Sequence, residues 1–265
     1  MNYGDLVEPL VTLARTAGDA ILEVYATDFD VQAKDDSSPL TQADMASHHV
    51  IDAERRALTP DIPVISEESG LPPFNERSQW PVYWLIDPLD GTTNFIHGFP
   101  QFAVSIAVLK DRTIEHGVVY DPLRNELFTA SRGQGAQLNE RRIRVSSCAH
   151  LETALLGTGF PFRELDRLDQ WTKTFRMLTR RSAGIRRTGS AALDLAYVAA
   201  GRMDGFWEFG LKEWDMAAGA LLIREAGGLI SDPEGGQDFL DTGDVVTANP
   251  RIFNEFLRTV ARHHT

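Results

Sequence analysis

The stretch Val82-Tyr83-Trp84-Leu85-Ile86-Asp87-Pro88-Leu89-Asp90-Gly91 constrains this chain more than any other. Its first five residues are large and apolar, as in a buried strand, and two carboxylates follow them three positions apart. Anions that close repel one another and are costly to desolvate, so the arrangement requires a compensating positive charge. No Lys or Arg occurs between Trp80 and Gln101. The compensation is therefore expected from outside the chain. Pro88, with its fixed φ and missing N–H, is expected to end the strand and turn the backbone so that Asp87 and Asp90 face one point. Hard divalent cations such as Mg²⁺ take oxygen ligands of this kind, and the carbonyl of Leu89 between the acids is a further candidate ligand. Gly91-Thr92-Thr93 follows, and residues 94–97 read as a short helix stopped by Gly98 and Pro100, whose Gly-led start offers N–H groups to an anion such as phosphate. The same residues also read as a turn, because Asp-Pro and Asp-Gly are common turn dipeptides and Thr92 is a natural N-cap.

Around this stretch the hydropathy pattern predicts helices over residues 6–22 and 41–58, a short strand at 63–66 emptying into Glu67-Glu68-Ser69-Gly70, a polar loop at 71–79 and the strand 82–86. Residues 101–109, 114–120 and 126–131 alternate as an antiparallel meander. Beyond residue 151, short strands alternate with helices, including 190–200, closed by Gly201, and 216–226, closed by Gly227-Gly228. The expected organisation is two joined lobes: residues 1–150, α+β, with most of the acidic site, and residues 151–265, α/β.

Charge narrows the function. With 26 basic and 38 acidic side chains the formal net charge is -12, which argues against a general electrostatic grip on nucleic acid or anionic lipid, so no direct DNA binding and no membrane attachment are expected. An anionic substrate would need something to mediate. The single cysteine, Cys148, excludes an internal disulfide framework and is expected to be inert. No signal peptide or membrane-spanning run is evident, and a cytoplasmic home is expected.

Asp87-Pro88-Leu89-Asp90-Gly91-Thr92-Thr93-Asn94-Phe95 resembles the signature of the inositol monophosphatase family of Mg²⁺-dependent, lithium-sensitive phosphatases. Two further motifs follow its order: Ile65-Ser66-Glu67-Glu68-Ser69 resembles the family's acidic strand end, and Trp214-Asp215-Met216-Ala217-Ala218-Gly219 its W-D-x-A-A-G element. The resemblance runs from about residue 18 to residue 249. It implies a layered αβαβα sandwich of the sugar phosphatase type, two or three Mg²⁺ ions held by Glu67, Asp87, the Leu89 carbonyl, Asp90 and Asp215, and a homodimer. It further implies that Glu67 and Thr92 orient an attacking water, with Asp44, in Thr41-Gln42-Ala43-Asp44, in a supporting or third-metal role. Phosphate and substrate contacts fall to Asp90, Gly91, Thr92, Gly189, Ser190, Ala191, Glu208 and Asp215.

Each of these residues has an ordinary structural explanation as well. Asp215 reads as an N-cap, Asp44 as the far end of a capping box begun by Thr41, and Glu208, between Trp207 and Phe209, as the outward residue of an alternating strand. The combination of Glu67, Asp87, Asp90 and Asp215 favours the functional account. Ser37 to Asp44 and Trp80 to Trp84 resemble the 3′(2′),5′-bisphosphate nucleotidase branch, whereas residues from Thr92 onward resemble bacterial inositol monophosphatases. The expected activity is hydrolysis of a small phosphorylated polyol such as inositol-1-phosphate, with adenosine bisphosphates as the alternative substrate. Some bacterial proteins with this resemblance partner the transcription machinery, so RNA polymerase association is a further expectation. His48-His49 diverge on a helix and make poor co-ligands, His263-His264 is tail, and Arg186-Arg187 is either a solvated patch or part of a dimer or substrate rim.

Overall fold

A computed structural model of the chain describes residues 6–33, 39–161 and 164–262. Ser37, Ser38, His263 and His264 lie outside the described residues. The first half comprises α1 (Val7–Tyr25), β1 (Val31–Ala33), β2 (Pro39–Thr41), α2 (Gln42–Leu58), β3 (Val64–Ser66), α3 (Phe74–Arg77), β4 (Val82–Asp90), α4 (Thr92–Ile96), β5 (Ala103–Lys110), β6 (Thr113–Asp121), β7 (Glu126–Ser131), β8 (Gly135–Leu138) and β9 (Arg141–Arg142). Then follow β10 (Leu155–Thr158), α5 (Leu168–Thr179), β11 (Gly184–Arg186), α6 (Ala191–Ala199), β12 (Gly205–Glu208), α7 (Glu213–Glu225), β13 (Leu229–Ser231), α8 (Phe239–Thr242), β14 (Val245–Ala248) and α9 (Phe253–Ala261). Among the described residues, strands β3 to β9 form one sheet in sequence order, and β11-β10-β12-β14-β13 form a second.

Side-chain alternation sets the layering. Along β4, Trp84 and Ile86 point to a core shared with Leu10, Leu13, Ala17 and Ile21 of α1 and Ile51 of α2, while Tyr83 and Leu85 point to a core shared with α6 and α7. The second sheet divides in the same way: Phe206 and Val245 face α6 and α7, and their neighbours Trp207 and Val246 face Trp171, Phe253 and Phe256 of α5 and α9. The layers therefore run helix, sheet, helix, sheet, helix, as the expected sandwich requires. Leu10, Leu13 and Ile21 are fully buried, a gain of about 1.5–3 kcal/mol each. The central helices carry Ala191, Ala192, Ala196, Ala217, Ala218 and Ala220, small side chains that let two sheets close on them. Gly219 belongs with these, because an added Cβ would strike Leu195.

Four sequence expectations are corrected here. Pro88 does not end the strand: β4 continues to Asp90, and the register moves from Asp87 opposite Ser105 to Asp90 opposite Ala103. Three steps on one strand against two on the other place a bulge at Pro88 and Leu89, where the missing N–H of proline costs no ladder bond. The Pro88 carbonyl accepts instead from Ser47 Oγ of α2, at 2.7 Å. The last long helix starts at Glu213 rather than Met216, so Asp215 is its third residue and not its opening one. The short helix after Gly91 likewise spans Thr92–Ile96, and the 71–79 loop contains α3. Among the described residues no helix is long and apolar enough to cross a membrane.

Candidate active site

The cleft forms where the C-terminal ends of β3 and β4 meet the N-terminal ends of α6 and α7 and the end of β12. Glu67 follows β3 in a 3-10 turn, Asp87, Leu89 and Asp90 flank the β4 bulge, and Asp215 comes from the first turn of α7. All five line the same pocket. Each aspartate is held by a local donor: the Leu89 amide to Asp87 Oδ1 at 3.0 Å, the Lys212 amide to Asp215 Oδ2 at 2.8 Å, and the Ser190 hydroxyl and Ala192 amide to Asp90 Oδ2 at 2.6 and 2.8 Å.

Electrostatics show what gathering these acids costs. Burial, and then the negative charges of Glu67, Asp90 and Asp215, hold the Asp87 carboxyl well above the usual carboxylate range. Burial also pushes Asp90 up to about 6, against the pull of the Ser190 hydroxyl and the α6 amides. The donor set is all oxygen and carries excess negative charge, which suits a hard divalent cation. Among the described residues, however, no three acidic, His or Cys side chains are drawn into a ready-made chelating cluster. The four acids share a pocket and a field, and the fit is one of donor chemistry.

Gly91 has φ 92°, and an added Cβ would press on the Gln101 carbonyl, so glycine alone permits the turn from β4 into α4. The Thr92 hydroxyl lies 3.0 Å from Asp44 Oδ1 and 3.1 Å from the Leu89 carbonyl. Asp44 also closes the capping box at Thr41, accepting from that residue's amide and hydroxyl at 2.7 and 2.6 Å. Its capping function and its reach to the site therefore coexist. Thr92 lines the pocket, and Asp44 stands behind it.

At the far end of the cleft, Ser190 caps α6, and Gly189, Ala191 and Glu208 line the wall. Glu208 is not simply an outward strand residue: it faces the pocket, and an added Cβ on Gly159 would overlap its carboxylate. Sequence reasoning missed Asp194, a 1% exposed acid within the apolar helix α6 that also borders the pocket. A lone acid among Ala191-Ala192-Leu193 and Leu195-Ala196 was the available signal. Its Oδ1 accepts from the Thr188 hydroxyl at 2.5 Å. Arg187 falls on the cleft and not on an outer patch, with its guanidinium 5.2 Å from the Phe160 ring centre. Asn94 ties the two ends together by donating to the carbonyls of Gln101 and Thr188 at 2.7 and 2.9 Å. His48 and His49 are not in the pocket lining, and His48 Nδ1 is 3.2 Å from Ser66 Oγ.

Residues 3–265 match the family described as the inositol monophosphatase family. The chain is 50% identical over 266 residues to the Nus factor SuhB of Pseudomonas aeruginosa, with 97% of each chain covered. Among solved structures it is similar to extragenic suppressor protein suhB from Bartonella henselae, with a TM-score of 0.90 and 40% identity over 96% of this chain and 98% of that one. It is also similar to the inositol monophosphatase from Anabaena (Nostoc) sp. PCC 7120, with a TM-score of 0.84 and 35% identity over 99% of this chain and 97% of that one.

Proposed function

The chain belongs to the inositol monophosphatase family, and from that premise we propose that it hydrolyses phosphate monoesters of small polyols, inositol-1-phosphate foremost, with Mg²⁺ as its cofactor. The carrying observation is the convergence of Glu67, Asp87, Asp90 and Asp215, from three distant segments, on one pocket in which they raise the Asp87 pKa. These side chains and the Leu89 carbonyl would hold two or three ions. Bound divalent ions supply charge neutralisation, Lewis-acid polarisation of the phosphate and acidification of water.

The chain's own groups supply placement. The amides of Gly91 and Thr92 take the phosphate oxygens, and Ser190 and Ala192 fix the Asp90 carboxylate through its Oδ2. Thr92, with its hydroxyl shared between Asp44 and the Leu89 carbonyl, is poised with Glu67 to orient water for in-line attack on phosphorus. One water is consumed as the ester P–O bond breaks and an alcohol and inorganic phosphate leave. Glu208, Ser190 and the neighbouring amides of α6 accept and donate to the hydroxyls of the leaving polyol.

A phosphate-release panel with inositol-1-phosphate, fructose-1,6-bisphosphate and adenosine-3′,5′-bisphosphate, with and without Mg²⁺, tests this assignment. Mg²⁺-dependent turnover that is fastest on the inositol ester is expected. Preference for the adenosine bisphosphate would transfer the assignment to the nucleotidase branch, and no turnover on any ester would refute it.

A second role is favoured by the Pseudomonas aeruginosa relative, which is named a Nus factor. On this reading the chain, working in the cytoplasm as a homodimer, associates with the transcription machinery through protein contacts, as its net charge of -12 suits better than binding nucleic acid directly. Co-purification with RNA polymerase that survives Asp90→Asn is expected if the role is independent of hydrolysis.

A further inference from the structure

Glu67 and Asp215 reach the cleft from different elements, the turn after β3 and the first turn of α7, so their separation depends on what joins those elements. The segment after Glu67 is mostly exposed. Between residues 69 and 79, among the side chains described, Pro72 and Arg77 alone escape full exposure. Arg77 terminates α3 and crosses to α7, where its Nη1 donates to Glu213 Oε1 at 2.5 Å. The two residues are 136 positions apart, and their side chains retain only 17% and 10% exposure. Glu213 is the first residue of α7, two before Asp215.

We propose that Arg77 and Glu213 form a clasp that holds the Glu67-bearing turn against the Asp215-bearing helix and so sets the affinity of the acidic cleft for its divalent cation. Both are positioning residues. The proposal rests on the reading that Glu67 and Asp215 are cation ligands. Screening is weak at this depth, so loss of one partner leaves the other buried and unbalanced, and the loop is then free to move outward with the Glu67 turn. The other cross-link near this end, Arg112 to Asp241 at 2.6 and 2.7 Å, is about half exposed on both sides; its charges reach Glu213, but it does not tie the Glu67 turn to α7, so it serves as the control for charge without a clasp. Exposed pairs of that kind contribute little.

The test is calorimetric titration of the intact protein with MgCl₂, comparing wild type with Arg77→Met, Glu213→Gln and the double variant, and with Arg112→Met as the control. The clasp predicts that both single variants and the double variant bind Mg²⁺ roughly three- to tenfold more weakly, below the ~10–100-fold expected for a direct outer-shell partner. The losses should not add, because either substitution opens the same clasp. A simple field effect predicts opposite signs: removing the Arg77 cation would tighten Mg²⁺ binding and removing the Glu213 anion would loosen it.

Arg77→Lys sharpens the distinction, since it preserves the charge and shortens the reach; partial weakening supports the clasp, and wild-type affinity speaks for the field. Opposite signs in the single variants, or lowered melting temperature with unchanged Mg²⁺ affinity, would overturn the proposal. Arg112→Met should leave affinity unchanged, and an equal loss there would also refute it. Should wild type itself take up no Mg²⁺, the proposed function falls together with the clasp. Uptake by wild type and all variants alike removes the clasp alone.

Discussion

The two ends of the cleft bury carboxylates in different company. At the β4 end, the groups that raise Asp87, after burial itself, are three further acids. At the α6 end, Asp194 and Glu208 are also pushed well above the usual range by burial, but Arg187 draws both back down. A cation thus figures among the main influences on the α6-end acids, whereas the main influences on Asp87 are burial, acids and the Leu89 amide. A buried acid with a fixed guanidinium nearby is suited to uncharged partners such as hydroxyls, whereas a set of acids without one is suited to a cation. The comparison supports the proposed division of the cleft on electrostatic grounds, without any appeal to sequence relatives.

The largest expected effect breaks the comparison at the β4 end. Asp90→Asn keeps an acceptor for Ser190 and Ala192 and leaves the β4 bulge in place, yet deletes one of the clustered negative charges. Phosphate release should fall by about 10³-fold or more, with an unchanged circular dichroism spectrum. Activity close to wild type at saturating Mg²⁺ would mean that the charge at this end is dispensable.

An intermediate effect belongs to the α6 end. Gly159→Ala puts a methyl where the Glu208 carboxylate now sits, and that carboxylate, at the tip of a flexible side chain, can swing aside without unfolding the chain. Loss of its hydrogen bonds to a polyol should lower kcat/KM roughly 10–100-fold. Titration with MgCl₂ should show wild-type affinity. A matching fall in Mg²⁺ affinity would show that the two ends are not separable.

How much of this was legible in the sequence depended on the range of the determining contacts. The helices at 41–58 and 190–200 were recoverable because Thr41 and Ser190 announce them locally, and both residues do cap, with Ser190 Oγ accepting from the Leu193 amide at 3.3 Å. The bulge was not, because it depends on β5 as the partner of β4 and on Ser47 as the hydroxyl donor to the freed Pro88 carbonyl. The start of α7 was misplaced for a related reason: Lys212 is a poor N-cap by type, and Asp215 compensates from the third position by binding its amide. The motif acids were visible as short strings, whereas Asp194, Arg187 and the Arg77–Glu213 pair become meaningful only when residues far apart in the chain are brought together.

The smallest effect sharpens the contrast within the α6 end itself. Burial raises the Asp194 pKa, the Thr188 hydroxyl lowers it, Asp90 raises it and Arg187 lowers it, with burial the largest influence. A folded-state value above the unfolded one means that the folded chain holds this proton more tightly. The associated stability is complete below the unfolded value of 3.8 and is lost as pH rises through the folded value. Asp194→Asn retains an oxygen for the Thr188 hydroxyl and never ionises, so it should abolish that loss. In differential scanning calorimetry with a chelator present, the melting temperature of the variant relative to wild type should rise in the variant's favour as pH is raised above the unfolded value of 3.8, until the folded value is passed. Parallel curves would mean that Arg187 compensates Asp194 completely, leaving the α6 end free of the electrostatic strain seen at the β4 end. A curve that favours wild type at high pH would reverse the sign of the burial effect, and the physical distinction between the two ends would fail.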